Sequence, residues 1–252
     1  MEPLLKACCV SYSYHSPEGA TPALFQVSFT VDPGEFLAIV GPSGCGKSTL
    51  LSLLSGLLEP EEGAIYIEDT PLKEASTGIG YMLQRDHLFE WRTIRENAAL
   101  GLEIQHQKTR EAMQELDEML RNYGLAAFAS ARPSELSGGM RQRAALIRTL
   151  VLEPDILLLD EPFSALDYQT RLEVSDDIFR IIKEQEKTAL LVTHDISEAI
   201  AMGEQVIVLS SRPAGIKNVF DIHLSVDKRT PFSSRTAPEF SAYFHQIWKE
   251  LS

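Results

Sequence analysis

The stretch GPSGCGKS, Gly41 to Ser48, followed by Thr49, restricts the fold more than any other part of the chain. It fits G-x-x-x-x-G-K-[ST] at every fixed position, a pattern in which the backbone N–H groups of a tight loop turn inward around phosphate oxygens. Such a loop needs a strand before it and a helix after it. EFLAIV supplies the strand, and KSTLLSLLSGLL has the apolar content of a buried helix ending near Gly56. These flanks argue against a chance match in a Gly-rich turn. Gly41, Pro42, Ser43, Gly44, Cys45, Gly46, Lys47, Ser48 and Thr49 are therefore expected to hold a nucleotide. Lys47 would reach its β- and γ-phosphates, and the Ser48 hydroxyl would ligate Mg²⁺.

A second apolar run, ILLLDEP from Ile156 to Pro162, ends in two carboxylates. Acidic residues after strands commonly cap helices. Beside a phosphate loop, however, Asp160 is expected in the Mg²⁺ shell and Glu161 is expected to orient or deprotonate an attacking water. His194, in LLVTHD, is a candidate hydrogen-bond donor to a γ-phosphate, the alternative being a solvated loop histidine. Gln84, closing GIGYMLQ, is a candidate Mg²⁺ ligand or water-positioning group, or an ordinary strand-end glutamine. Tyr14 offers a ring for adenine stacking, with Tyr12 as its competitor. SELSGGMRQRAALIRTL, Ser134 to Leu150, is a second helix start with exposed N–H groups and a positive dipole end, so the chain offers two anion cradles.

The surrounding pattern orders these motifs. LLKACCVSYSY, LFQVSFTV and EFLAIV read as strands separated by the turn residues of PEGATP and DPG, and GAIYIED and GIGYMLQ read as two more. TREAMQELDEMLRNYG puts Met113, Leu116, Met119 and Leu120 on one face and ends at Gly124, with helices continuing to about Glu153. DILLLD, a helix from about Gln169 to Glu186, TALLVT, a short helix from Ile196, and QVIVLS then alternate, the pattern of a parallel sheet covered on both faces. EFSAYFHQIWKEL carries Phe240, Tyr243, Phe244, Ile247, Trp248 and Leu251 at helical spacing, a stripe expected to pack on its own domain. The expected architecture is a single α/β domain over residues 1–252, with a mainly parallel sheet, an antiparallel β subdomain and an inserted helical lobe. Within it, 1–84 and 155–224 are expected to form a nucleotide-binding core with the β subdomain, 85–154 the helical lobe and 225–252 a helical tail.

Composition narrows the partners. With 44% apolar residues the 252-residue chain can build a real core. The 23 Lys plus Arg against 36 Asp plus Glu leave a net charge of -13, which argues against a nucleic-acid partner. No apolar run approaches the roughly 20 residues that span a bilayer, and MEPLLKACCV lacks the long apolar stretch of a signal peptide, so a cytosolic location is expected. Cys8, Cys9 and Cys45 suggest neither a disulfide framework nor a metal site and are read as reduced thiols.

Taken in order, the motifs resemble those of the ATP-binding cassette (ABC) ATPases. GPSGCGKST resembles the Walker A loop, Gln84 the Q-loop, LSGGM the family signature, ILLLDEP the Walker B strand, SALD at Ser164 to Asp167 the D-loop, and His194 the switch histidine. Many NTPases share the Walker motifs; the signature is far more specific. The resemblance implies a P-loop NTPase core, ATP and Mg²⁺ as its ligands, and ATP hydrolysis with Glu161, His194 and Gln84 in catalytic roles. It also implies a head-to-tail dimer, read as two identical copies. There Ser137, Gly138 and Gly139 of one copy, near the D-loop Asp167, face the ATP held by the phosphate loop of the other. The two cradles would serve one nucleotide from opposite sides.

A narrower resemblance, to importer ATPases of the nitrate, sulfonate and taurine type, rests on YMLQRDHLFEWRTIRENAALGLEI, ELSGGMRQRAALIRTL, DEPFSALD and SSRPAGI. That branch also takes up some pyrimidine vitamin precursors. Glu90 stands where the branch often has proline before Trp91, and Met140 replaces the glutamine common in the wider family while agreeing with the branch. The stretch after SSRPAGI is expected to be too short for the regulatory barrel of sugar-importer relatives. The branch implies a cytoplasmic subunit peripheral on the inner face of the cell membrane. Its partners would be a second ATPase subunit, an integral membrane permease and, indirectly, an extracytoplasmic solute-binding protein. ATPase motifs do not encode direction, so export stays open. A soluble cassette acting in translation or DNA repair is the rival, and neither the paired cassettes nor the long coiled coils usual in those proteins are seen. A small-molecule kinase would need neither the signature nor the D-loop.

Overall fold

The computed structural model describes residues 2–17 and 19–252; Met1 and Glu18, the latter inside the predicted turn PEGATP, lie outside them. The chain opens with β1 (Leu5–Ser16), β2 (Gly19–Val31) and β3 (Phe36–Val40), followed by α1 (Lys47–Leu54), β4 (Glu62–Ile67), β5 (Thr70–Pro71) and β6 (Ile79–Met82). A helical stretch follows: α2 (Ile94–Ala98), α3 (Leu100–Ile104), α4 (Arg110–Asn122) and α5 (Gly138–Leu150). Then come β7 (Ile156–Asp160), α6 (Tyr168–Glu184), β8 (Thr188–Thr193), α7 (Ile196–Met202), β9 (Gln205–Leu209) and β10 (Ile216–Asp221), with α8 (Pro231–Ser234) and α9 (Phe240–Leu251) last.

The strands form two sheets. One is a four-stranded antiparallel sheet of order β2-β1-β4-β5; the other has six strands in the order β10-β9-β3-β8-β7-β6. In the six-stranded sheet all neighbours are parallel except β9 and β10. This is the α/β architecture the alternation of elements predicts. Residues 19–22 of the predicted turn are instead strand, with Ser16 pairing with Gly19 and Ser13 with Pro22.

Period-two alternation sorts the central strands between two cores. Leu157 and Leu159 face α4, α5 and α6, whereas Ile156 and Leu158 face α1 and the antiparallel sheet. Both faces are thus covered, and β3, β7 and β8 are buried throughout. In the helical stretch, Thr93 and Glu96 make a capping box at the start of α2, and Thr109 caps α4 by accepting from the Ala112 N–H at 3.2 Å. Leu116 and Leu120 turn the buried face of α4 inward, with Met113 and Met119 at its margin. Along α9, Phe240, Tyr243, Phe244, Ile247 and Leu251 pack against α7 and β9. Trp248 does not join them: it is 59% exposed and stacks on Phe244, because the stripe at helical spacing is wider than the surface available to cover it.

Candidate active site

The phosphate loop lies between the end of β3 and the start of α1. Gly46 is the N-cap of α1 at φ +128°, and a Cβ there would stand 3.0 Å from the Ala23 carbonyl, so both backbone conformation and space require glycine. Cys45 closes the turn through its N–H to the Pro42 carbonyl at 3.2 Å, and burial pushes its thiol up. Lys47 is only 6% exposed and donates from Nζ to the carbonyls of Gly41 and Pro42 at 2.9 and 3.1 Å. Its ammonium is held at the loop by acceptors that the oxygens of a phosphate can replace.

Opposite stands the end of β7. The Ser48 hydroxyl donates to Asp160 Oδ1 at 3.2 Å and the Tyr81 hydroxyl donates to Oδ2 at 3.3 Å. Burial raises the Asp160 carboxyl and the neighbouring Glu161 charge adds to this, while the Ser48 and Tyr81 bonds pull it down. Burial and Asp160 together push the Tyr81 phenol up to about 12. Sequence reasoning missed Tyr81. Its register partner is Leu158, which puts it on the sheet face that also carries Asp160 and α1.

Glu161 adopts φ +45°, an uncommon backbone state for a non-glycine residue, and is anchored by its N–H to the Val192 carbonyl at 2.8 Å. Its Oε2 gathers the two other predicted catalytic side chains. His194 Nδ1 lies 2.9 Å away, and Gln84 Nε2 donates at 3.3 Å. Gln84 also reaches the Ser164 hydroxyl at 3.4 Å, and Ser164 donates to the Glu161 carbonyl at 3.0 Å, a contact the sequence did not single out. An open cleft of about 320 Å³ runs between Ser43, Gly44, Lys47, Ser48, Gln84 and Glu161. Tyr14 is joined to this loop by its hydroxyl, 3.0 Å from Thr49 Oγ1, and the residue is 44% exposed. Tyr12 meets it edge to face and is partly buried against the core, so Tyr14 is the more exposed of the two.

The other predicted residues stand apart from this cleft. Ser137 caps α5 by accepting from the Met140 N–H at 3.3 Å, and Gly138 and Gly139 open the helix. A Cβ on Gly138 would stand 2.9 Å from Leu166 Cδ2, and one on Gly139 2.6 Å from Val174 Cγ2. Asp167 caps α6 through the Thr170 N–H at 3.1 Å, and the Thr170 bonds hold its carboxyl low. Within one chain, then, the second helix start packs on α6 and does not line the phosphate cleft.

A family profile described as "ABC transporter" matches residues 24–164, more than half of the chain. The Bacillus subtilis (strain 168) protein named "Uncharacterized ABC transporter ATP-binding protein YtlC" is 47% identical over 96% of this chain and 94% of its own length. The aliphatic sulfonates import ATP-binding protein SsuB of the same organism is 38% identical over 90% of this chain and 86% of its own length. Among solved structures, the ATP-binding cassette MJ0796, as a dimer in a post-hydrolysis state bound to ADP and Pi, superposes with a TM-score of 0.74 at 31% identity. That match covers 87% of this chain and 99% of the MJ0796 chain.

Proposed function

This chain belongs to the ABC transporter family as an ATP-binding, ATP-hydrolysing subunit, and we propose that it powers import of a small solute through a separate membrane permease. The solute is of the nitrate, sulfonate or taurine type, or a pyrimidine precursor. The sulfonate-import relative at 38% identity and the SSRPAGI and FEWRTIREN stretches support that branch. Among the described residues no helix is long and apolar enough to cross a membrane, so the pathway for the solute is assigned to a partner. The working unit is a homodimer peripheral on the cytoplasmic face, with an extracytoplasmic binding protein delivering the solute. Nucleic acid has no part in this reading.

The observation that carries the chemistry is the convergence of His194 and Gln84 on Glu161 Oε2. Glu161 is the group that orients and deprotonates the attacking water. His194 holds a γ-phosphate oxygen and Gln84 ties the site to the helical stretch that follows it. Lys47 exchanges its two carbonyl partners for β- and γ-phosphate oxygens, and Tyr14 stacks on the adenine. Mg²⁺ suits the donors present, since Ser48 Oγ and Asp160 Oδ1 are hard oxygens 3.2 Å apart. When bound it supplies charge neutralisation on the phosphates. Ser137, Gly138 and Gly139 engage the nucleotide of the second copy, with Asp167 at the same face, so ATP binds the pair together and its hydrolysis releases them.

The test is to purify tagged Glu161→Gln chain from detergent-solubilised membranes in MgATP and identify what accompanies it by mass spectrometry. Recovery of a multi-span permease supports the proposal. Recovery of ribosomes or DNA-repair proteins with no permease overturns it in favour of a soluble cassette.

A further inference from the structure

Arg171, in the first turn of α6, lies outside every motif yet touches both loops that flank Glu161. Its Nη2 donates to the Leu166 carbonyl at 3.1 Å, just before Asp167. Its Nη1 donates to Asp195 Oδ2 at 3.4 Å, just after His194. Its Nε lies 3.7 Å from Oε1 of Glu198, a buried carboxylate of α7 whose Oε2 accepts from the Thr193 hydroxyl at 2.7 Å.

Asp195 itself cannot move independently of the His194 loop. Its Oδ1 accepts from the N–H groups of Ser197 and Glu198 at 2.7 and 3.3 Å, and its own N–H donates to Thr193 Oγ1 at 3.0 Å. On the other side, Leu166 is pressed against the start of α5, because Gly138 leaves no room for a Cβ beside Leu166 Cδ2. Contacts this close move together, since a packed interior resists deformation. A displacement of the signature glycines is therefore felt at Leu166, whose carbonyl the guanidinium holds together with the His194 loop. The planar fork of arginine suits that task, and a single ammonium cannot reach both acceptors in the same geometry.

We propose that Arg171 is a positioning residue that ties the orientation of His194 against Glu161 to the position of the SALD loop. In a dimer it would report engagement of this chain's signature to its own hydrolysis site. The inference rests on the roles given above to Glu161 and His194.

The test compares wild type, Arg171→Lys, His194→Ala and the double variant, measuring steady-state MgATP hydrolysis, KM for ATP and thermal melting. Arg171→Lys keeps the charge beside Asp195 and Glu198 but loses the fork. Its kcat should fall on the order of 10- to 100-fold, with KM and melting little changed. In the His194→Ala background the same change should cost nothing further. Asp195→Asn retains helix capping while weakening the Arg171 contact and should behave alike. Losses that multiply in the double variant, or a wild-type kcat in Arg171→Lys beside a slow His194→Ala, overturn the proposal alone. Wild-type turnover in His194→Ala overturns the reading of His194 and this inference with it.

Discussion

At the scale of single residues, the site is a set of acceptors and donors already paired with one another. Lys47 is tied to two carbonyls, Asp160 to two hydroxyls, and Glu161 to His194 and Gln84. Asp160 is the most exacting of these, because a buried carboxylate with an unfilled oxygen costs more than its hydrogen bonds return. Replacing Tyr81 with Phe keeps the ring and removes one donor. The expected loss is about 1 kcal/mol of stability, read as a lower midpoint in urea denaturation at neutral pH, and an unchanged midpoint would mean that the phenol does not support Asp160. Lys47, Ser48, Asp160 and Glu161 were legible in the sequence because each belongs to a short motif whose geometry is local. Tyr81 and Arg171 were not, since their partners depend on strand register and on where α6 lies against α7, neither of which is written in neighbouring residues.

At the scale of elements, the helices between β6 and β7 are secured by caps and by pairs between helices. Arg95 of α2 grips Asp117 of α4 with Nε to Oδ1 at 2.6 Å and Nη2 to Oδ2 at 2.9 Å, and this holds the Asp117 carboxyl below the usual carboxylate range. A lowered folded-state pKa gives stability that is present above the unfolded value and lost as pH falls through the folded one. Both side chains are about two-fifths exposed, so the pair contributes no more than about 1 kcal/mol. Asp117→Asn should therefore weaken the fold slightly at neutral pH, and the deficit should shrink below about pH 4. Urea titrations at the two pH values check this, and a deficit that persists in acid would assign the loss to packing. The apolar period of α4 and the buried runs of β3, β7 and β8 were visible in sequence because burial repeats at the element's own spacing. The exposure of Trp248 was not, because periodicity defines a stripe without defining how much of it a neighbour covers.

For the whole molecule, the arrangement separates the two anion cradles: one lines the cleft with Glu161, and the other packs on α6 beside Leu166 and Val174. A single copy thus brings only half of what each nucleotide is proposed to meet, and turnover should require pairing. The measurement that tests this account most directly is made on Glu161→Gln, by light scattering with and without MgATP alongside steady-state hydrolysis. The account predicts an ATP-dependent doubling of mass that persists, with turnover reduced on the order of 10²- to 10⁴-fold. Near-normal hydrolysis by Glu161→Gln would contradict it, because another group would then be preparing the water.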